Sequence, residues 1–241
     1  MTARNRGMFN VARRAANGLI DIVLPPVCAG CGLGGAWLCP RCAELVVPTD
    51  QNEACQRCGA LLGFSAHTCG RCAGWPPELE QVQSVYPYQD AIRTMIHRLK
   101  YGSEPARASW CASVMVSYLT EIGWGADVLV PVPLHRSKLR SRGYNQSLLI
   151  TRHVARQLDI PMQDALVRVR HTQSQVDLDA DERRENVRGA FVARRQLHNA
   201  TVLLIDDVAT TGSTLIECAI ACRQAGAASV RAMTVARAVA D

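Results

Sequence analysis

The sequence lacks any long hydrophobic run, because no stretch of 18 apolar residues occurs among its 241 residues. A transmembrane helix needs about 20 predominantly apolar residues, so a membrane span is not expected. Residues 1–24 are basic and contain a short apolar stretch, residues 19–24, which is interrupted by Asp21. No small-residue cleavage site follows, and we interpret this segment as an amphipathic helix and not as a signal peptide. We therefore expect a cytoplasmic protein.

A second absence concerns nucleotide chemistry. The sequence contains no Gly-Lys-Ser/Thr motif, with which a Walker loop holds the terminal phosphates of a nucleoside triphosphate. Hydrolysis of nucleoside triphosphates is therefore not expected.

Acidic residues are missing from one internal stretch, since no Asp or Glu lies between Asp127 and Asp159. The basic residues of this stretch are Arg136, Lys138, Arg140, Arg142, Arg152 and Arg156. The formal charge of the whole chain is +6, but two zinc–thiolate sites would lower it to about +2. Local clustering of basic residues is therefore better evidence for an anionic partner than net charge.

Cysteine, by contrast, is abundant: the chain has 11. In the cytoplasm thiols stay reduced, so metal binding is favoured over disulfides. Eight of them form four Cys-x-x-Cys pairs, namely Cys28/Cys31, Cys39/Cys42, Cys55/Cys58 and Cys69/Cys72. Short intervening loops favour sequential pairing into two four-cysteine sites, although a cross-braced pairing stays open and His67 is an alternative ligand. We expect one or two structural Zn²⁺ ions, because every ligand is a thiolate and no position is left for water. Cys111, Cys218 and Cys222 are interpreted as core residues.

Composition changes at Trp75-Pro76-Pro77, where the cysteine-rich part ends. We expect a basic N-terminal segment at 1–24, a double zinc ribbon at 25–77 and a larger domain at 78–241. In the larger domain the apolar pattern predicts strands at 82–88, 127–133, 165–169, 190–193, 201–205 and 230–236. It predicts helices at 91–101, 106–122, 145–158 and 212–225. Such alternation is typical of an α/β fold with a mostly parallel sheet covered by helices.

The strongest motif is VLLIDDVATTGSTL, residues 202–215. A buried strand runs into two acids, then into a Thr/Gly/Ser loop that opens a helix. The loop offers backbone N–H groups and the positive end of a helix dipole, which suit a phosphate. Asp206 and Asp207 must face hydroxyl groups or positive charge. A ribose 5′-phosphate fits this motif, because its two ring hydroxyls suit the aspartates and its phosphate suits the loop. The alternative to a ligand site is that Asp206 only caps the following helix and that the Thr/Ser run is a polar turn. The candidate ligand-binding residues here are Asp206, Asp207, Ala209, Thr210, Thr211, Gly212, Ser213 and Thr214.

A second anion site is predicted in PVPLHRSKLRSRGYNQ, residues 131–146, which follows a strand as a basic loop and opens a helix at Asn145. Four like charges within seven residues repel one another unless an anion is present, although a solvated basic loop is the alternative. The candidate residues are Val132, Pro133, His135, Arg136, Lys138, Arg140 and Arg142.

Residues 202–215 closely resemble the signature of type I phosphoribosyltransferases. Together with PVPLHRSKLRSRGYNQ, the run RHTQSQVDLDADERRENVRGAF at 170–191 and the cysteine-rich N-terminus, they resemble the ComF family, the competence protein F group and its relatives linked to gluconate utilisation. The resemblance covers about residues 20–237. It implies a type I phosphoribosyltransferase fold with a small hood, preceded by a double zinc ribbon.

The resemblance also implies a ligand and a reaction. The ligand is 5-phosphoribosyl-1-pyrophosphate with Mg²⁺, and the implied catalytic residues are Asp206, Asp207 and Arg183. Residues 170–189 match a loop that closes over the active site, with Arg170 and Gln175 as ligand-binding candidates, and Lys100 matches a position in the hood region. These assignments are expectations from the family pattern.

One departure from purine-salvage members of the superfamily is Thr210, which stands where they carry an Asp acting as base. A nucleophile would therefore be an amine, ammonia or a group that brings its own base. The competing function is non-catalytic: a ligand sensor, or a factor that binds single-stranded DNA or the helicase and processing proteins of DNA uptake. Aromatic residues near the basic segments are few, which weakens a stacking mode of DNA binding. The role in competence or carbon utilisation stays open, as does the oligomeric state, with a dimer as one arrangement.

Overall fold

Buried apolar strands form the centre of the protein. The computed structural model describes residues 25–62, 69–170 and 185–238, and our expectations for residues 1–24, His67, Gln175 and Arg183 lie outside these ranges. The strands are β1 (Gln81–Pro87), β2 (Val128–Pro131), β3 (Leu166–Arg168), β4 (Phe191–Ala193), β5 (Thr201–Ala209) and β6 (Ser229–Arg237). The helices are α1 (Pro40–Ala43), α2 (Asp90–Tyr101), α3 (Arg107–Glu121), α4 (Arg136–Arg142), α5 (Gln146–Leu158) and α6 (Ser213–Gln224), with a 3₁₀ turn at Gly70–Cys72.

The main sheet has four parallel strands in the order β1-β6-β5-β2. Strands β3 and β4 form a separate antiparallel pair. The predicted α/β fold with a mostly parallel sheet is therefore confirmed. Helices α3, α5 and α6 pack against the sheet, and α2, which buries Ile92, Met95, Ile96 and Leu99 at helical spacing, packs against α3.

Strand β5 is longer than the apolar run at 201–205 predicts. It continues through both aspartates to Ala209, because β6 pairs with it over that whole length, with Asp206 opposite Thr234 and Ala209 opposite Arg237. Strand β2 ends sooner, where Pro131 pairs with Ile205. The last residues of β5 thus extend past β2 and leave an opening at the carboxyl end of the sheet, where ligands bind in parallel α/β folds.

The basic segment after β2 is not the loop that the sequence predicts. Arg136–Arg142 forms helix α4. His135 caps its start by accepting a hydrogen bond from the backbone N–H of Ser137, and Gly143 ends it with a φ of 82°, in the left-handed region that glycine favours. The four basic side chains are therefore distributed around a helix and not along an extended loop.

Packing divides the chain into two compact units, one up to Val46 and one from Val47 onwards. The larger unit holds the sheet and also the second group of cysteines, since Cys55, Cys58 and Cys72 are buried in the same core as Val82 and Leu215. The expected division at residue 77 stays a prediction about sequence modules. Cys111, Cys218 and Cys222 are fully buried, as expected of core residues. Among the described helices, none is long and apolar enough to cross a membrane.

Candidate ligand-binding site

A cleft of about 430 Å³ opens at the carboxyl end of the sheet. Its wall comes from the ends of β2 and β5 and from the first turns of α5 and α6, so segments far apart in the sequence meet there. The polar and charged lining residues are Tyr88, Lys100, Tyr101, Lys138, Arg142, Gln146, Ser147, Arg168, Asp206, Asp207, Thr210, Thr211, Ser213 and Thr214. Four of them are basic and two are acidic, which leaves an excess of two positive charges.

Asp206 is buried at the floor of the cleft, with 9% of its surface exposed. One carboxylate oxygen accepts hydrogen bonds from the hydroxyl of Ser147 at 2.6 Å and from the backbone N–H of Asp207 at 2.9 Å. Burial and the neighbouring Asp207 carboxylate raise the pKa of Asp206 to about 7, although Ser147 and Lys100 act in the opposite direction. A carboxyl held at this pKa is typical of functional sites.

Asp207 is 2% exposed and contacts the ammonium group of Lys100, at 3.0 Å. Burial alone would lower the pKa of Lys100, but the carboxylates of Asp207 and Asp206 outweigh it and the pKa is raised. The second carboxylate oxygen of Asp207 is buried and has no hydrogen-bond partner within the described residues. Leaving a buried acceptor unpaired is costly, which indicates that a donor from a ligand completes this site.

The loop after β5 leads into α6 through Gly212, whose φ of 83° lies in the left-handed region. Gly212 caps the helix without a side-chain hydrogen bond of its own, and the backbone N–H of Ser213, the first residue of α6, donates to the hydroxyl of Thr211 at 3.4 Å. Thr211 and Ser213 place their hydroxyls 2.7 Å apart. Hydroxyl donors, the backbone N–H groups of the first turn and the positive end of the α6 dipole line the cleft here and together suit an anion.

The first turn of α5 lines the opposite side of the cleft. Asn145 caps this helix by accepting from the N–H of Ser147 at 3.0 Å, and its amide nitrogen donates to the carbonyl of Val132 at 3.0 Å. Arg142 donates to the side-chain oxygen of Gln146. A second helix N-terminus and a guanidinium therefore face the same space as the loop before α6.

Electrostatics support a second anion subsite around Lys138. Its pKa is lowered by burial and by the positive charges of Arg168, Arg142 and Lys100. These four cations repel one another, and they come from three different elements: Lys100 from α2, Lys138 and Arg142 from α4, and Arg168 from β3. An anion with several negative charges would relieve the repulsion.

The structure brings together most of the residues that the sequence predicts for this site. The predicted residues that line the cleft are Asp206, Asp207, Ala209, Thr210, Thr211, Gly212, Ser213, Thr214, Val132, Pro133, Lys138, Arg142 and Lys100. His135 instead caps α4, Arg136 and Arg140 lie on the exposed side of α4, and Arg170 donates to the carbonyl of Arg188. These four do not line the cleft.

Two important residues are missing from the sequence prediction. Arg168, at the end of β3, is 8% exposed and packs over the ring of Phe191 at 5.2 Å while lining the cleft. Ser147 binds Asp206 from α5. A basic residue that ends an apolar strand was the available signal for Arg168, whereas a lone serine on a helix gives no such signal.

The described cysteines form two groups of four with sequential pairing, Cys28, Cys31, Cys39 and Cys42, and Cys55, Cys58, Cys69 and Cys72. Within each group the sulfur atoms all lie within 4.8 Å of one another. The pKa of Cys28 is lowered to about 6 and that of Cys55 to about 7, because backbone N–H groups outweigh the opposing effect of burial. Four converging sulfurs in each group fit tetrahedral Zn²⁺.

Comparison with known proteins gives two matches to family models. Residues 144–241 match the phosphoribosyl transferase domain, and residues 19–73 match the double zinc ribbon domain.

Three relatives align with most of the chain. Competence protein F of Haemophilus influenzae is 33% identical over 83% of this chain and 90% of the relative. DNA utilization protein YhgH of Escherichia coli K12 is 29% identical over 90% of this chain and 99% of the relative. Competence protein ComFC of Bacillus subtilis is 29% identical over 77% of this chain and 78% of the relative.

Proposed function

Because this chain belongs to the ComF family, with its double zinc ribbon and phosphoribosyltransferase-type domain, we propose that the cleft binds 5-phosphoribosyl-1-pyrophosphate together with Mg²⁺ in the cytoplasm. The observation that carries the proposal is the pair of buried carboxylates between two cationic anion sites. Asp206 and Asp207 accept hydrogen bonds from the ribose 2′- and 3′-hydroxyls. The unpaired oxygen of Asp207 then gains its donor.

The two anion sites divide the phosphates of this ligand between them. The loop at residues 210–214 holds the 5′-phosphate through backbone N–H groups and hydroxyls at the start of α6. Lys138, Arg142 and Arg168 hold the diphosphate on the other side. Mg²⁺ supplies charge neutralisation to the diphosphate, and the surplus of two positive charges in the cleft is too small to balance this ligand without it.

The chemistry that the site supports is displacement at C1 of the ribose. The bond from C1 to the diphosphate oxygen breaks, pyrophosphate leaves with the bonding electrons, and a nucleophile forms the new bond to C1. Lys138, Arg142 and Arg168 stabilise the charge that develops on the diphosphate. Among the described residues that line the cleft, Asp206 and Asp207 are the only carboxylates, and both are engaged with the ribose. The nucleophile is therefore an amine, ammonia or a group that brings its own base, and the proton that it releases on forming the bond to C1 passes to the departing pyrophosphate or to solvent.

Calorimetric titration of the full chain with 5-phosphoribosyl-1-pyrophosphate and Mg²⁺ tests binding. The wild-type protein should bind, and the Asp206→Asn, Asp207→Asn double variant should not. Asp159→Asn is the matched control, because Asp159 is an exposed acid at the end of α5 and should leave binding intact. Absence of heat from the wild-type protein at millimolar ligand would overturn the proposal. Pyrophosphate release in a screen of ammonia and small amines then separates transfer from binding.

A second candidate function is a non-catalytic accessory factor of DNA uptake that binds single-stranded DNA or a protein partner. The exposed Arg136 and Arg140 on α4 favour it, because they present positive charge outside the cleft, as do the names of the competence and DNA utilization relatives. Fluorescence anisotropy with a labelled oligonucleotide tests it. Binding through phosphates must weaken steeply as salt rises, and absent or salt-insensitive binding counts against it.

A further inference from the structure

We propose that Trp75 is a positioning residue for the phosphate-binding loop, and that it makes ligand affinity depend on metal occupancy of the second cysteine cluster. This cluster consists of Cys55, Cys58, Cys69 and Cys72. The proposal deepens the function proposed above and rests on it for its affinity measurement. A second measurement, described below, does not depend on ligand binding.

The contact between Trp75 and the loop is direct. Trp75 is 6% exposed, and the edge of its indole ring fills the space beside Gly212. A Cβ atom on Gly212 would lie 2.5 Å from Cζ2 and 2.7 Å from Cη2 of this ring. Atoms that close cannot be accommodated, so the indole packs against the bare backbone of the glycine. The indole of Trp75 therefore contacts the loop at Gly212, the residue that precedes α6.

Trp75 is in turn tied to the second cysteine cluster. Its backbone N–H donates to the carbonyl of Cys72 at 3.0 Å. Arg57, which lies between Cys55 and Cys58, donates to the carbonyl of Trp75 at 2.9 Å and to that of Pro76 at 3.2 Å. The tryptophan is therefore held by both Cys-x-x-Cys turns of the cluster, once through its own backbone and once through a guanidinium.

The geometry of those two turns depends on the metal. Cys55 and Cys72 are separated by 3.6 Å between sulfurs, and Cys58 and Cys69 by 3.5 Å, with Cys55 and Cys58 fully buried. A bound Zn²⁺ fixes four thiolates at about 2.3 Å from the ion. Without it the two turns are joined by weak sulfur contacts and by the hydrogen bonds from Arg57 to the carbonyls of Cys72, Trp75 and Pro76. The turns then separate more easily, and Trp75 moves with them.

The consequence falls on the anion site. The N–H groups and hydroxyls at residues 210–214 bind phosphate only when they converge on one point, and a misplacement of about 1 Å can cost on the order of a hundredfold in a positioned site. Loss of the indole, or of the metal that holds it, should lower ligand affinity without removing any group that touches the ligand.

The affinity test compares Trp75→Phe, Trp75→Ala and Cys69→Ser with the wild-type full chain by calorimetry with 5-phosphoribosyl-1-pyrophosphate and Mg²⁺. Trp75→Ala should weaken binding by about tenfold or more while zinc content stays at two per chain. Trp75→Phe, which keeps a smaller ring, should fall between wild type and Trp75→Ala. Cys69→Ser should lose one zinc and bind as weakly as Trp75→Ala. Trp124→Ala, which removes an indole that stacks with Arg231 away from the cleft, is the matched control and should bind like wild type.

Hydrogen exchange supplies a measurement that needs no ligand and does not depend on whether a variant folds. In the wild-type protein, chelation of zinc should speed amide exchange in peptides covering residues 210–216 by about tenfold, and it should leave the first turn of α5 unchanged. Equal exchange before and after chelation would overturn the coupling, as would a zinc-loaded Trp75→Ala protein that binds like wild type. If the wild-type protein binds no ligand, the proposed function fails, and exchange in the wild-type protein and in zinc-loaded Trp75→Ala decides whether zinc and Trp75 support the loop.

Discussion

Asp206 carries an energetic cost in the folded protein, which the proposed binding of a ribose explains. Its carboxyl is buried beside another carboxylate, and its pKa is raised to about 7, above the usual value of about 3.9 for an unfolded chain. Above pH 7 the folded state must hold the buried charge, so the penalty is complete there. Between pH 7 and about pH 4 the folded state takes up a proton that the unfolded state does not, and the penalty shrinks.

We therefore expect Asp206→Asn to stabilise the protein while abolishing ligand binding. The asparagine oxygen can still accept from Ser147 and from the N–H of Asp207, but the buried charge is gone. At pH 8 the gain should be on the order of 2 kcal/mol, or about 4–8 °C in Tm for a domain of this size. Thermal unfolding of both proteins from pH 8 to pH 4 measures it. The gain should be constant above pH 7 and vanish near pH 4; a variant less stable than wild type at pH 8 contradicts this.

At the residue scale the sequence predicts one half of the cleft well. The aspartates and the loop at 210–214 are contiguous, so a single strand–loop–helix pattern reveals them all. Ser147 and Arg168 lie on other elements, and their places in the cleft depend on how those elements pack. Chain order and apolar spacing carry no information about such packing, which is why the sequence alone did not identify them.

At the scale of elements, α4 shows how a charge pattern can mislead. Alternating basic residues with no acidic residue among them predict a basic loop, yet this segment forms a helix that begins at the His135 cap and ends at the left-handed Gly143. On that helix Lys138 and Arg142 are four residues apart and face the cleft together. Arg136 and Arg140 form a second such pair on the exposed side. The short helix thus separates one basic cluster into two surfaces.

This separation predicts different effects for two charge-matched variants of α4. Lys138→Gln with Arg142→Gln should weaken binding of 5-phosphoribosyl-1-pyrophosphate by about tenfold or more, because hydrogen bonds from charged groups to the diphosphate are lost. Arg136→Gln with Arg140→Gln removes the same charge and should change that affinity by less than about twofold. Calorimetric titration of both variants with 5-phosphoribosyl-1-pyrophosphate and Mg²⁺ measures the two affinities. Equal losses would mean that net charge, and not the position of each residue on the helix, controls binding.

The same pair of variants tests the second candidate function. If α4 also contacts single-stranded DNA, the exposed pair should weaken oligonucleotide binding and reduce its salt dependence. The cleft-facing pair should then have the smaller effect on DNA. Anisotropy with a labelled oligonucleotide at several salt concentrations measures this reversal.

At the scale of the whole molecule, the two cysteine clusters have similar sequences and different structural settings. The sequence predicts one or two zinc ions in a double zinc ribbon. Packing places the second cluster in the core that also contains Val82 and Leu215, whereas the first lies in the compact unit that ends at Val46. Spacing between cysteines indicates the candidate ligands and favours the sequential pairing, which the structure has. It does not reveal which apolar surface each ribbon packs against, because that depends on side chains far away in the chain.

We therefore expect loss of one buried thiol to have unequal effects in the two clusters. Cys28 and Cys58 are both fully buried, so Cys28→Ser and Cys58→Ser remove comparable groups, and each should lose one zinc. Cys58→Ser also opens the core beneath β1 and α6, and it should lower the stability of the larger unit by at least about 3 kcal/mol, roughly 6–12 °C in Tm. Cys28→Ser should leave that transition within about 2 °C. Metal analysis measures the zinc content of each variant, and thermal unfolding followed by circular dichroism measures the Tm of the larger unit. Equal shifts in the two variants would show that the second cluster stabilises the sheet no more than the first, and the link from zinc through Trp75 to the phosphate loop would lose its structural basis.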